Sequence, residues 1–101
     1  MAIGRQQPPA PNAAYGPSKC MLNWFGVRIN AEEEWLTSFT MNPGWVRTDM
    51  GNRAAQIWGM GQEAPGEPEE SVAGMFKVLT TATKKKFGGK LVSFAGEIDE
   101  W

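Results

Sequence analysis

WLTSFTMNPG, residues 35–44, sets apolar Leu36, Phe39 and Met41 among β-prone threonines and ends in Asn-Pro-Gly. Proline cannot donate to a ladder and glycine permits a sharp turn, so the run reads as a short strand closed by a turn. What surrounds that strand decides the fold.

Upstream, residues 14–34 (AYGPSKCMLNWFGVRINAEEE) are long enough for a helix and contain no proline after Pro17. The apolar residues Cys20, Met21, Leu22, Trp24, Phe25, Val27 and Ile29 cover most of the helix circumference, so this helix demands burial on two sides. Trp24 and Phe25 suit a core or an interface better than a cofactor-stacking role. Residues 1–13, which include the proline-rich RQQPPAPN at 5–12, read as loop.

Downstream, residues 45–66 are glycine-rich and irregular yet carry Trp45, Met50, Ile57, Trp58 and Met60; connections so long and apolar are usually functional. A second helix is expected from Pro68 to Lys85. Proline suits the first helical position, Glu69 and Glu70 its positive end and the lysines at 84–86 its negative end. Gly88 and Gly89 stop it, and KLVSFA, residues 90–95, reads as a buried strand. Strand, crossover and strand make a βαβ unit with parallel strands and a right-handed connection. The expected fold class is therefore α/β, in the order helix, strand, helix, strand, within a single domain spanning residues 1–101.

The chain's net charge of −1 lacks the basic footprint of a nucleic-acid binder, and Lys84–Lys86 reads as a solvated helix end, as do Glu32–Glu34. No apolar run reaches the roughly 18 residues of a membrane span. The single Cys20 cannot form an internal disulfide, and the N-terminus has no apolar stretch of the kind a signal peptide needs, so a reducing, cytoplasmic location is expected. Because histidine is absent, Ser-His-Asp, Cys-His and His-ligated zinc chemistry are excluded, and no metal site is expected. Catalysis would have to use tyrosine, lysine, a carboxylate or a bound cofactor.

Tyr15 and Lys19 stand four residues apart, one above the other on a helix. A cation beside a phenol favours its ionised form, and such a tyrosine can exchange a proton with a carbonyl or alcohol oxygen. The pair alone is more at home on an ordinary helix. Its context is more specific: YGPSK, an apolar helix, a strand, then NPGWVRTDM at 42–50. This order resembles the C-terminal half of the short-chain dehydrogenase/reductase family, and most of all its fungal ketoreductases of aromatic polyketide pathways. The resemblance runs from Tyr15 to Ala95.

The resemblance implies part of a Rossmann-like, doubly wound fold lacking its N-terminal half. It implies NADP or NAD as cofactor and a small hydrophobic carbonyl or alcohol as substrate. Tyr15 would be the general acid/base. Lys19 would hold the nicotinamide ribose and tune Tyr15, while Pro43, Gly44, Val46 and Thr48 would form the turn that receives the nicotinamide end. Ser18 fits the small residue expected before the lysine. Residues 45–66 would contain the substrate loop, where Trp45, Trp58 and Met60 either line a hydrophobic pocket or cover the core. Asp49 would cap or support the turn. The 14–34 helix would supply a homo-oligomer face.

The departures are equally specific. GMGQEA at 59–64 has the spacing of a dinucleotide-binding turn but follows no strand and meets Pro65, so it reads as a flexible loop. No serine precedes Ser18 to hold a substrate oxygen, and the family's upstream asparagine is missing with it. The alternative reading is a non-catalytic remnant or interaction module, marginally stable or associating, because two parallel strands expose a sheet edge.

Overall fold

The computed structural model describes residues 11–101. The expected N-terminal loop lies largely outside them; only its last residues, 11–13, are described. Seven elements follow in chain order: α1 (Tyr15–Glu32), β1 (Thr40–Asn42), α2 (Asp49–Ile57), α3 (Pro68–Thr81), α4 (Lys84–Phe87), β2 (Leu91–Ser93) and β3 (Ile98–Asp99).

β1 and β2 pair in parallel, Thr40 with Leu91 through Asn42 with Ser93, as a βαβ unit requires. The sheet is nevertheless mixed, because β3 adds an antiparallel edge beside β2. The reason is local: Gly96 takes φ +85°, its amide reaches the Ser93 carbonyl, and the chain folds back through a tight hairpin turn. The expected strand at 35–44 shrinks to three residues. Residues 34–35 form a turn in which the Leu36 amide bonds the Glu33 carbonyl, and ladder pairing starts only at Thr40.

Two other boundaries differ from expectation. Residues 45–66 are not wholly irregular, for α2 begins where the Thr48 hydroxyl caps the Gly51 amide and Asp49 occupies the first turn. The helix expected over 68–85 breaks at Ala82, whose ψ of 137° is extended, and restarts as α4 under a cap from Thr83 to the Lys86 amide.

Side chains alternate across β1, and the two faces meet different helices. Phe39 and Met41 join Val78 of α3, Phe87 of α4 and Val92 of β2 in the core, with the Phe39 and Phe87 rings 5.8 Å apart. Thr40 faces α1. There Gly26 lets the helix approach so closely that a Cβ would lie 3.2 Å from Thr40 Cγ2. Helices therefore cover both faces of the sheet, as in a Rossmann-like fold.

α1 is not buried on two sides. Its inward stripe is small and polar, with Gly16, Asn23 and Gly26 buried, while Met21, Leu22, Trp24, Phe25 and Ile29 stay exposed. Lys84 is not a solvated helix end either. Its Nζ donates to the Asn30, Glu33 and Leu36 carbonyls and to Asn30 Oδ1, capping the C-terminal end of α1 from another element.

Candidate active site

The packing of α1 on β1 determines which end of the sheet receives the Tyr15–Lys19 pair. The Ser38 amide bonds Asn30 Oδ1, Gly26 lies against Phe39 and Thr40, and the Thr40 hydroxyl donates to Asn23 Oδ1 at 2.8 Å. As the strand number rises the helix number falls, so the two elements are antiparallel. Beyond Asn23, the direction of α1 carries Lys19 and then Tyr15 from the level of Thr40 toward the carboxyl end of β1. The pair thus stands at the carboxyl end of β1, the end where open α/β sheets bind ligands.

Within the pair, Lys19 Nζ lies 5.3 Å from the centre of the Tyr15 ring, so both side chains occupy one face of α1. Tyr15 is 55% exposed. Pro17 falls in the first turn, where a missing amide costs nothing. The Gly16 amide bonds both the Asn12 carbonyl and Asn12 Oδ1, so Asn12 ties down the first turn of α1 from two residues ahead of its N-cap, Ala14. Ser18 bonds the Tyr15 carbonyl at 2.7 Å.

After β1 the turn at 43–48 is held from several sides. Gly44 adopts φ +81° over the Phe94 ring, where a Cβ would come within 2.8 Å of Cε1, so only glycine fits. The Pro43 carbonyl accepts from the buried Ser71 hydroxyl at 2.7 Å. Val46 pairs with Gly66 as an isolated parallel bridge formed by its neighbours: Gly66 donates to Trp45 and Arg47 donates to Gly66. The backbone groups of Val46 therefore face away from Gly66. Its carbonyl accepts from Thr48, and its amide has no backbone partner among the described residues. The Thr48 hydroxyl is engaged as the cap of α2. Asp49 lies in that first turn with no role in catalysis assigned to it.

The long segment expected as a substrate loop is an ordered excursion. Its base is clasped by the Val46–Gly66 bridge and by an ion pair between Arg47 and Glu67, which raises the Arg47 pKa through hydrogen bonding and charge. Inside it, Ala55 and Ala64 are buried, and the Ala64 amide bonds Asn52 Oδ1 at 3.0 Å. Trp45 donates its indole N–H to the Gly51 carbonyl and packs against Trp58 at 5.9 Å. Trp58 and Met60 are largely exposed, as are Met50 and Ile57 of α2. Met50 and Ile57 are thus further exposed apolar residues of the segment that carries Trp45, Trp58 and Met60. Their seven-residue spacing on a helix was the signal, visible once residues 49–57 are read as helical.

GMGQEA does not form a phosphate-binding turn. Gly59 and Gly61 have positive φ and open space around them, but they follow the C-terminus of α2 rather than opening a helix. An apolar groove of about 500 Å³, lined by Ile29, Leu36, Phe39, Met41, Met75 and Leu79 among others, lies at the amino end of β1 and away from Tyr15. Among the described residues, no helix is long and apolar enough to cross a membrane.

No protein-family model matches the sequence. A short-chain dehydrogenase of Pyricularia oryzae is 39% identical over 88 residues, covering 86% of this chain and 35% of that protein. A norsolorinic acid ketoreductase of Aspergillus parasiticus is 41% identical over 83 residues, covering 82% of this chain and 30% of its own length. Among solved structures, NADPH-bound carbonyl reductase from chicken fatty liver superposes with a TM-score of 0.73 at 27% identity, over 92% of this chain and 35% of that one. The chain spans about a third of the length of the curated relatives it matches. Sequence and fold agree that it belongs to the short-chain dehydrogenase/reductase family.

Proposed function

We propose that this chain carries the proton-transfer and nicotinamide-facing end of an NAD(P)-dependent oxidoreductase acting on a carbonyl or alcohol. One observation carries the reading: α1 runs antiparallel to β1 and so carries the Tyr15–Lys19 pair toward its carboxyl end, where a turn follows whose Val46 amide has no backbone partner among the described residues. The oxidoreductase class is supported by relatives that are a dehydrogenase and a ketoreductase, and by a structural neighbour that is a carbonyl reductase holding NADPH.

The residues present fit the nicotinamide end of the cofactor. Val46, a half-buried residue, offers an amide donor, Pro43 and Gly44 shape a backbone surface, and Lys19 offers ammonium donors to a ribose. Thr48 supports this surface by capping α2. The pyrophosphate end has no counterpart among the described residues, since Gly59 and Gly61 open no helix. When bound, the nicotinamide supplies or accepts a hydride. The chain's own part is to bring the Tyr15 hydroxyl to the substrate oxygen and move a proton there, with the Lys19 ammonium beside it on the same face of α1. Exposed Met50, Ile57, Trp58 and Met60 favour a small hydrophobic substrate.

The exposed apolar face of α1 favours a second reading, a non-catalytic module that pairs through that helix with another copy or a relative. Titrating the purified chain with NADPH and NADH, read by nicotinamide fluorescence, separates the two. Saturable binding supports the oxidoreductase reading, and its absence at saturating concentrations of both cofactors overturns independent cofactor use. In any active form, Tyr15→Phe should abolish turnover and retain cofactor binding, whereas loss of binding would refute the acid/base role.

A further inference from the structure

We propose that Asp99 is a positioning residue for the Pro43–Thr48 turn, acting through the side chain of Asn42. This rests on the reading of that turn as the nicotinamide surface. Asn42 ends β1 and uses both ends of its amide: Oδ1 accepts from the Gly44 amide at 3.0 Å, and Nδ2 donates to Asp99 Oδ2 at 2.8 Å. Asp99 reaches this place through the β2–β3 hairpin, 57 residues further along the chain.

The chemistry of the pair makes the contact directional. An ionised carboxylate only accepts, so it selects the one orientation of the Asn42 amide that points NH₂ at Asp99. That orientation leaves Oδ1 for Gly44. The reverse would set oxygen against carboxylate and NH₂ against the Gly44 N–H. Asp99 thus decides which way the amide faces, and the amide holds Gly44 at φ +81° over Phe94. Two residues later comes the Val46 amide. The Ser71 hydroxyl on the Pro43 carbonyl holds the same turn from α3, so the sheet edge and the helix grip it from two directions.

The test is amide hydrogen exchange on the whole chain, read at Gly44 and Val46 by NMR. Asp99→Leu removes the acceptor, and Gly44 exchange should rise about tenfold, the loss of one ordinary hydrogen bond. Asp99→Asn can present either an oxygen or an NH₂ to Asn42, so it should leave Gly44 exchange between the unaltered chain and Asp99→Leu, and Glu100→Gln on the exposed neighbour should change nothing. If Asp99→Leu fails to fold, the exchanged pair replaces it. Asn42→Asp alone sets two carboxylates together and should lose protection at Gly44, and adding Asp99→Asn should recover it. Unchanged Gly44 exchange in Asp99→Leu or Asn42→Asp, or no recovery in the paired variants, overturns the proposal. Cofactor titration of the same variants reads the underlying function separately. If the unaltered chain binds neither cofactor, the nicotinamide reading fails whatever the exchange shows, while altered exchange alone leaves Asp99 as the residue that sets this turn.

Discussion

Replacing Lys84 by methionine should destabilise the chain far more than the same change next door at Lys85. Lys84 Nζ serves the Asn30, Glu33 and Leu36 carbonyls and Asn30 Oδ1, with distances of 2.8 Å to Leu36 and 3.0 Å to Glu33. Those carbonyls belong to the end of α1 and the turn after it, and among the described residues only that of Glu33 also accepts a backbone amide, from Leu36. Methionine keeps the aliphatic stem and removes three N–H donors and the positive charge that complements the helix dipole. A hydrogen bond from a charged group contributes about 1.5–3 kcal/mol, but water can reach part of this site. We therefore expect a net loss of about 2 kcal/mol. With a urea dependence of about 1 kcal/mol per molar for a domain of this size, the unfolding midpoint should fall by about 2 M. Lys85 makes no side-chain bond among the described residues, and Lys85→Met should cost under about 0.5 kcal/mol. Equal midpoints for the two variants, by tryptophan fluorescence and circular dichroism, would refute the capping role.

Gly44→Ala should cost more than Gly59→Ala in the same urea assay. Both positions have positive φ, worth about 1–2 kcal/mol to an L side chain, but only Gly44 has Phe94 in the way. Phe87→Ala should cost about 3–5 kcal/mol and leave little folded protein at 37 °C by circular dichroism, because it empties the centre of the core. Thr83→Ala removes the cap of α4 and should cost about 1 kcal/mol; because Lys84 opens that turn, hydrogen exchange should loosen at the C-terminal end of α1 as well as in α4.

How much of this was legible in the sequence depended on how local each signal was. The end of β1 was readable because Pro43 cannot extend a ladder and Gly44 can take a left-handed turn. The Tyr15–Lys19 pair was readable because helical spacing alone puts both residues on one face. α2 was obscured by Gly51, Gly59 and Gly61, although Thr48-Asp49 is an N-terminal signature; its packing comes from Ala55, Ala64 and the Trp45–Trp58 pair. The break at Ala82 carried no proline or glycine, and lysines suit the end of one helix as well as a short new one. Thr83 decided it by capping Lys86. Asp99 and Ser71 were invisible because their partners lie 57 and 28 residues away, at positions fixed only once the hairpin register and the approach of α3 to Pro43 exist.

The Val46–Gly66 bridge gives residues 47–65 an unusual independence. The chain leaves and re-enters the fold at adjacent points, so the sheet registers the clasp and not the length of what it encloses. Even doubling such an excursion adds only about 0.6 kcal/mol of closure entropy. The segment is in effect an exchangeable cassette. A relative's counterpart grafted between Thr48 and Gly66 would bring its own apolar side chains while Tyr15, Lys19 and the Pro43–Thr48 turn stay where they are.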